Sequence, residues 1–214
     1  MGLFITFEGI EGCGKSTQSK ALKNRFLRRG IPVLLVKEPG STAVGKVARQ
    51  LLKHKLEIKL DPTTELFLFE VARAQLVSEV IHPALEKGIN VICDRYGDST
   101  LAYQGYGRGI DLDTIRHLNQ IATGGLLPDL KILPDLDVIE GLKRKGKASA
   151  HDRFEREQTS FHQRVRVGYL EMTKNDPETW IVIDGALPPR TIGNKIWERV
   201  QILLDSESEK TRRP

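Results

Sequence analysis

Eight residues near the start, Gly9-Ile10-Glu11-Gly12-Cys13-Gly14-Lys15-Ser16, separate an apolar run at 3–7 (LFITF) from an amphipathic stretch at 16–29. That stretch has Ala21, Leu22, Phe26 and Leu27 at helical spacing and Gly30 as its stop. Few architectures accept a glycine-rich loop that leaves a buried strand and opens a helix. The rest of the chain repeats the alternation. Strand patterns at 32–36, 90–93, 130–133 and 180–183 alternate with helical patterns at 44–52, 64–85, 112–123, 154–174 and 191–204. Pro83 predicts a break in the second of these helices, and Pro134 weakens the fourth strand. Strands alternating with helices imply an α/β fold, a parallel sheet covered on both faces in three α/β/α layers.

At 214 residues the chain is long enough for one domain, expected over 1–205, followed by a polar tail at 206–214. Two cysteines exclude a disulfide framework and a four-cysteine zinc site. The opening residues lack a basic n-region, and no stretch approaches the ~20 apolar residues of a membrane span. A cytoplasmic protein with no membrane partner is therefore expected. The net charge of +5 is concentrated: residues 141–156 hold six basic and two acidic side chains. One localised basic patch suits a small polyanion better than a nucleic-acid duplex, so no nucleic-acid partner is expected. The same stretch reads as a mobile lid, with Arg144, Lys147 and Arg153 among its cations.

The loop itself matches G-x-x-x-x-G-K-[ST] in the right context. Its glycines let backbone N–H groups turn inward on phosphates, and the helix N-terminus adds positive partial charge. Gly9, Glu11, Gly12, Cys13, Gly14, Lys15, Ser16 and Thr17 would form the cradle for the phosphates of ATP. Lys15 would reach the β- and γ-phosphates and Ser16 would ligate Mg²⁺. Asp94, which follows the third strand, is a second magnesium candidate, and Arg95 a phosphate clamp. Acids follow every strand: Glu8, Glu38, Asp94, Asp135 and Asp184. Ligands of open parallel sheets bind at that edge. Cys13, beside a helix N-terminus and a lysine, reads either as a thiolate or as a small filler. The five histidines show no metal-ligand spacing and read as surface or lid residues. Trp180 and Trp197 read as packing, and the apolar positions of 112–123 suit either the core or a partner subunit.

GIEGCGKST, EPGST at 38–42, FLFEVARAQ at 67–75, DRYGDSTLAYQG at 94–105, LPDL at 127–130, GLKR at 141–144 and DRFE at 152–155 together resemble the thymidylate kinase family, in order and spacing. The resemblance covers nearly the whole chain. It implies a P-loop fold with a five-stranded parallel sheet and a lid, a homodimer, and transfer of the γ-phosphoryl of ATP to thymidine monophosphate with Mg²⁺. It also implies roles. Glu11 would meet the 3′-hydroxyl, Arg95 the acceptor phosphate, Phe69 the face of the thymine and Arg73 its carbonyl edge. Glu38, Ser99, Tyr103 and Gln104 would complete that pocket. Lys15, Arg95, Asp94 and a lid arginine would be the catalytic groups. Some family members carry an arginine inside the P-loop. Here that position is Gly12, so the arginine is expected from the lid, as Arg144 or Arg153, with Arg153 favoured by its DRFE context. Ser41, Lys37, Ala72, Leu76 and Val138 depart from the usual pattern.

The chemistry agrees. A monophosphate with a second pKa of about 6 is mostly dianionic at neutral pH and needs no general base. It needs cations that bring two polyanions together. Two other readings remain open on sequence: a related kinase of different specificity, either a deoxynucleoside kinase using Glu11 or Glu38 as base or another monophosphate kinase of the same fold; and a nucleic-acid-stimulated ATPase, against which the localised charge argues.

Overall fold

The computed structural model describes residues 1–54, 58–145 and 153–212. Strands β1 (Phe4–Phe7), β2 (Val33–Lys37), β3 (Asn90–Asp94), β4 (Leu130–Asp135) and β5 (Trp180–Asp184) form one parallel sheet in the order β2-β3-β1-β4-β5. Helices α1 (Lys15–Arg28), α2 (Ala43–Arg49), α3 (Pro62–Leu76), α4 (His82–Glu86), α5 (Gly97–Thr100), α6 (Leu112–Thr123), α7 (Val138–Lys145), α8 (Thr159–Asn175) and α9 (Pro189–Arg212) surround it. Each of the five strand patterns read from the sequence is a strand of this sheet.

β1 lies between β3 and β4, with Ile5 opposite Ile92 on one side and Leu130 on the other. Covered on both faces, it is apolar at nearly every position and buried throughout. Ile5 and Phe7 pack toward Leu22 and Phe26 of α1 and Trp197 of α9. Phe4 faces the opposite side, with Leu76, Ile81, Leu85 and Tyr96. A third cluster, with Tyr103, Phe161, Val165 and Tyr169, sits under α8. Each fully buried side chain of this size contributes roughly 1.5–3 kcal/mol. The connections diverge to either side of β1, so a crevice opens beyond its carboxyl end.

Several boundaries differ from the periodicity. The break expected at Pro83 is absent. The chain stays helical across 62–86, with a π-helical turn at Val77–Ile81 just before the proline. The wider turn relieves the clash of the proline ring with the carbonyl one turn earlier. The stretch 44–52 becomes α2 and a π-helical turn, Gln50–His54. The helix expected from 154 starts as a 3₁₀ turn, Phe154–Arg156, with α8 following at Thr159. α9 continues past 204 to Arg212, over most of the polar tail. Pro134 is tolerated because the β1 ladder ends at Ile132; beyond it β4 pairs only with β5. Among the described residues, no helix is long and apolar enough to cross a membrane.

Candidate active site

β1 delivers the glycine loop to the crevice, and α1 begins at Lys15. The Lys15 ammonium folds back on the loop's own carbonyls, 2.9 Å from Gly9 O and 2.6 Å from Ile10 O. Gly12 has φ 73°, a left-handed conformation, and a Cβ there would stand 1.9 Å from Gly141 O of α7. No side chain fits there, an arginine included, unless α7 moves away. Cys13 is buried in the cluster beneath the loop, so it reads as the filler. The Ser16 hydroxyl donates to the Asp94 carboxylate at the end of β3. Two oxygen donors beside the phosphate lysine fit Mg²⁺, which takes one or two protein oxygens and completes its octahedron with water and phosphate. Among the described residues no group of three or more histidine, cysteine or carboxylate side chains could hold a metal.

Above the loop lies a cavity of about 320 Å³, lined by Lys15, Lys37, Arg49, Lys53, Arg95, Arg144 and Lys145 against Glu11, Glu38 and Asp94. Burial and the neighbouring Arg49 and Lys53 hold the Lys37 ammonium below its ordinary pKa. So concentrated a positive field suits a polyphosphate. Arg144 stands in this cavity, anchored to Gly185 O at 2.8 Å and to Glu140 at 3.1 Å. Arg153 lies elsewhere, donating to Ile58 O at 2.6 Å beside Glu65 and Arg108. Lys147 falls outside the described residues.

A second, narrow pocket opens on the other side of Glu11 and Arg95, lined by Phe69, Arg73, Ser99, Tyr103, Gln104 and Phe154 among others. Glu11, Glu38, Lys53 and Arg95 line both spaces. Arg95 occupies the left-handed region at φ 76°, unusual without a glycine. Its backbone N–H donates to Phe7 O at 3.0 Å. Its guanidinium donates to Gly9 O, Ser99, Tyr169, Glu11 and Tyr103, all within 3.2 Å. Such over-determination holds a conformation that costs of order 1–3 kcal/mol. Burial works against the Glu11 charge, but His162, Arg95, Lys15 and Tyr103 outweigh it and hold its carboxyl well below the usual range. Glu8, behind the pocket, accepts from Tyr96 N at 2.7 Å and Ser99 Oγ at 2.5 Å. Burial and the charge of Asp98 push it up to about 8.

Arg73 is fully buried on α3. Its terminal nitrogens are committed to Glu38 at 2.5 Å, Glu70 at 2.8 Å, Thr100 at 2.7 Å, Tyr96 O at 3.2 Å, and Asn119. Its Nε has no hydrogen-bond partner. Burial pushes Glu38 up to about 7 against the pull of Arg73. Gln104 is held by Glu65 at 2.9 Å. The ring of Phe69 lies 5.9 Å from that of Phe154.

A family model described as thymidylate kinase matches residues 7–196. The chain belongs to the thymidylate kinase family. A thymidylate kinase of Dehalococcoides mccartyi is 50% identical over 98% of this chain and 100% of its own length. One from Roseiflexus is 43% identical over 96% of each. The crystal structure of thymidylate kinase from Ehrlichia chaffeensis, 33% identical, superposes with a TM-score of 0.77 over 94% of this chain and all of its own. The family and the P-loop fold expected from the motifs are therefore established.

Against the family's pattern, the described residues carried over by motif converge at one sheet edge, apart from Arg153. The sequence reading missed Arg49, Lys53, Phe154 and Tyr169, which tertiary packing brings to the same place. It also put His162 at the surface or lid. His162 is 1% exposed, and the first turn of α8 buries it against Glu11.

Proposed function

We propose that this chain transfers the γ-phosphoryl of ATP to thymidine monophosphate, with the cation-lined cavity as donor site and the Phe69–Arg73–Tyr103 pocket as acceptor site. The observation that carries this reading is the wall the two spaces share. Arg95 and Glu11 stand where a donor γ-phosphate and an acceptor phosphate would meet. Lys15 neutralises the donor's phosphates once it turns from the loop carbonyls. Arg95, already oriented by five acceptors, holds the acceptor phosphate in line, so little reorganisation remains at the moment of transfer. Glu11, kept ionised, accepts from the sugar hydroxyl. The free Nε of Arg73 and the amide of Gln104 address the base, and Phe69 lies against its face. Arg144, already in the donor cavity, supplies the lid's charge to the transferring group. Ser16 and Asp94 would hold Mg²⁺, which would offset the charge of the donor's phosphates. A carboxyl held as low as that of Glu11 is a poor general base, which leaves Glu38 as the base a nucleoside kinase would need and makes the acceptor test below the deciding one.

The same reading makes the molecule a cytoplasmic homodimer and a single domain over 1–205. Phe67 and Val71 on α3 and Ile121 on α6 expose apolar surface at half or more of each side chain, and α3 packs on α6. Sedimentation should give twice the chain mass, and Val71→Asp should give a monomer. For the activity, ADP release from Mg-ATP is measured with each nucleoside and each monophosphate offered separately. Selective turnover of thymidine monophosphate supports the proposal. Turnover of thymidine instead, or DNA-stimulated hydrolysis with no acceptor, sinks it. Arg144→Ala and Arg153→Ala assign the lid arginine: the larger loss of kcat marks the residue at the transferring group.

A further inference from the structure

α8 begins just after the described end of the lid and sets Phe161 and His162 side by side in its first turn. Phe161 packs against Tyr103, ring centroids 6.1 Å apart. His162 turns toward the P-loop, with Nδ1 3.4 Å from Glu11 Oε2. Both ring nitrogens of His162, and that same Oε2, are buried and lack a hydrogen-bond partner. Buried polar groups are rarely left so, and each such case calls for a reason. Here the two groups face each other a few tenths of an ångström beyond hydrogen-bond range, so a small rotation of the imidazole closes the bond. The other carboxylate oxygen, Oε1, is taken by Tyr103 at 2.7 Å and Arg95 at 3.0 Å.

We propose that His162 is a positioning residue for phosphoryl transfer: its Nδ1–H holds Oε2 of Glu11, and so keeps Oε1 on Arg95 and Tyr103, the groups that face the acceptor. The inference rests on the reading of Glu11 and Arg95 as acceptor-side groups. Without the imidazole, the Glu11 carboxylate is free to turn. Arg95 then loses one of the five acceptors that orient it, and the acceptor site loosens. The donor cradle at Gly14, Lys15 and Thr17 is left as it was. The link also joins the turn after the lid to the loop between the two cavities, through one side chain.

A packing role and a positioning role separate on substitution. His162→Leu fills the space without a donor. His162→Asn places an amide N–H near Nδ1, and His162→Gln places one near Nε2. Steady-state kinetics with ATP and thymidine monophosphate varied in turn, calorimetric binding of thymidine monophosphate, and thermal melts are measured for each. His162→Leu is expected to raise the acceptor KM and lower kcat about tenfold each, with the ATP KM within about twofold, as befits loss of one charge-assisted bond. His162→Asn should recover to within about threefold of wild type and bind the acceptor more tightly than His162→Gln. In the double variant with Glu11→Gln, the His162→Leu loss should largely vanish.

A wild-type acceptor KM in His162→Leu, equal values for the Asn and Gln variants, or additive losses with Glu11→Gln would each overturn the inference. If His162→Leu does not fold, the Asn–Gln comparison decides. Should Glu11→Gln and Arg95→Ala themselves leave the acceptor KM unchanged, it is the assignment of the acceptor site that fails.

Discussion

Removing the guanidinium of Arg73 tests how the buried acceptor wall is held together. Arg73→Met keeps the apolar stem but strands Glu38 and Glu70, whose side chains are 2% and 8% exposed. Breaking a buried ion pair by deleting one partner costs about 3–5 kcal/mol. The carboxyls can escape part of that by taking up protons, which makes the loss depend on pH. Glu38 already titrates at about 7 with Arg73 in place, because burial raises it. Without Arg73 its pKa rises further. The unfolded chain releases the same proton near the ordinary carboxylate value. Below about pH 7, folded wild type and folded variant both hold the Glu38 proton, and the variant's deficit from this residue stays flat. Above that pH the wild type has released it and the variant has not. The variant then loses a further ~1.4 kcal/mol per pH unit until its own pKa is reached. Urea unfolding followed at about pH 6 and about pH 8.5 should therefore show a deficit near 3 kcal/mol that widens by roughly 2 kcal/mol at the higher pH. With an m-value of about 2–3 kcal/mol/M, the shift of the midpoint grows from roughly 1 M to nearly 2 M. Equal deficits at the two pH values, or an unaffected midpoint, would refute the account of Glu38 as a carboxyl held between burial and one arginine.

Lys15→Met should lower kcat about 10²–10³-fold while the melting temperature changes little, since Nζ touches only its own loop, at the carbonyls of Gly9 and Ile10 and the sulfur of Cys13; single-turnover phosphoryl transfer measures it. Asp94→Asn should raise the Mg²⁺ concentration for half-maximal activity about tenfold, and an unchanged magnesium titration would remove Asp94 from the metal site. Gly12→Ala and Gly30→Ala both place a side chain at positive φ, but only Gly12 meets backbone, at 1.9 Å; Gly30 has nothing within 4 Å. Gly30→Ala should cost about 1 kcal/mol and Gly12→Ala at least 3 kcal/mol, read by urea unfolding. Equal costs would mean that the loop and α7 do not press on each other.

What the sequence disclosed about this site was what lies close along the chain. The phosphate loop reads out in eight consecutive residues because its chemistry is backbone curvature plus one lysine and one serine. Asp94 and Arg95 were found because they end a strand. The five strands were legible because burial on both faces makes them uniformly apolar. Other features depend on distant partners. Glu38 and Arg73 are 35 residues apart, and nothing in either segment announces that they share a bond. Lys53 reaches the donor cavity from the π-helical turn after α2, which no 3.6-residue period foretells, and Arg49 reaches it from the end of α2 itself. The stretch Gly97–Gly107 is rich in glycine and tyrosine and shows no helical stripe, yet packing against α8 makes it helical. The burial of His162 is likewise a property of what α8 leans on. A lone histidine looks the same in sequence whether solvent or a carboxylate awaits it.

The close approach of Gly12 to Gly141 also bears on how such enzymes can diverge. A Cβ at either glycine would collide with the other segment's backbone, at 1.9 Å from Gly141 O and at 2.5 Å from Glu11 O. A lineage with this contact cannot acquire a P-loop arginine by a single tolerated substitution. The arginine would have to arrive together with a displacement of α7, the helix that carries Arg144. An arginine in the loop and a glycine-to-glycine contact with α7 are therefore alternatives that one substitution does not connect. Two facing glycines, one in the phosphate loop and one on α7, act as a historical ratchet on where an arginine can enter this cavity.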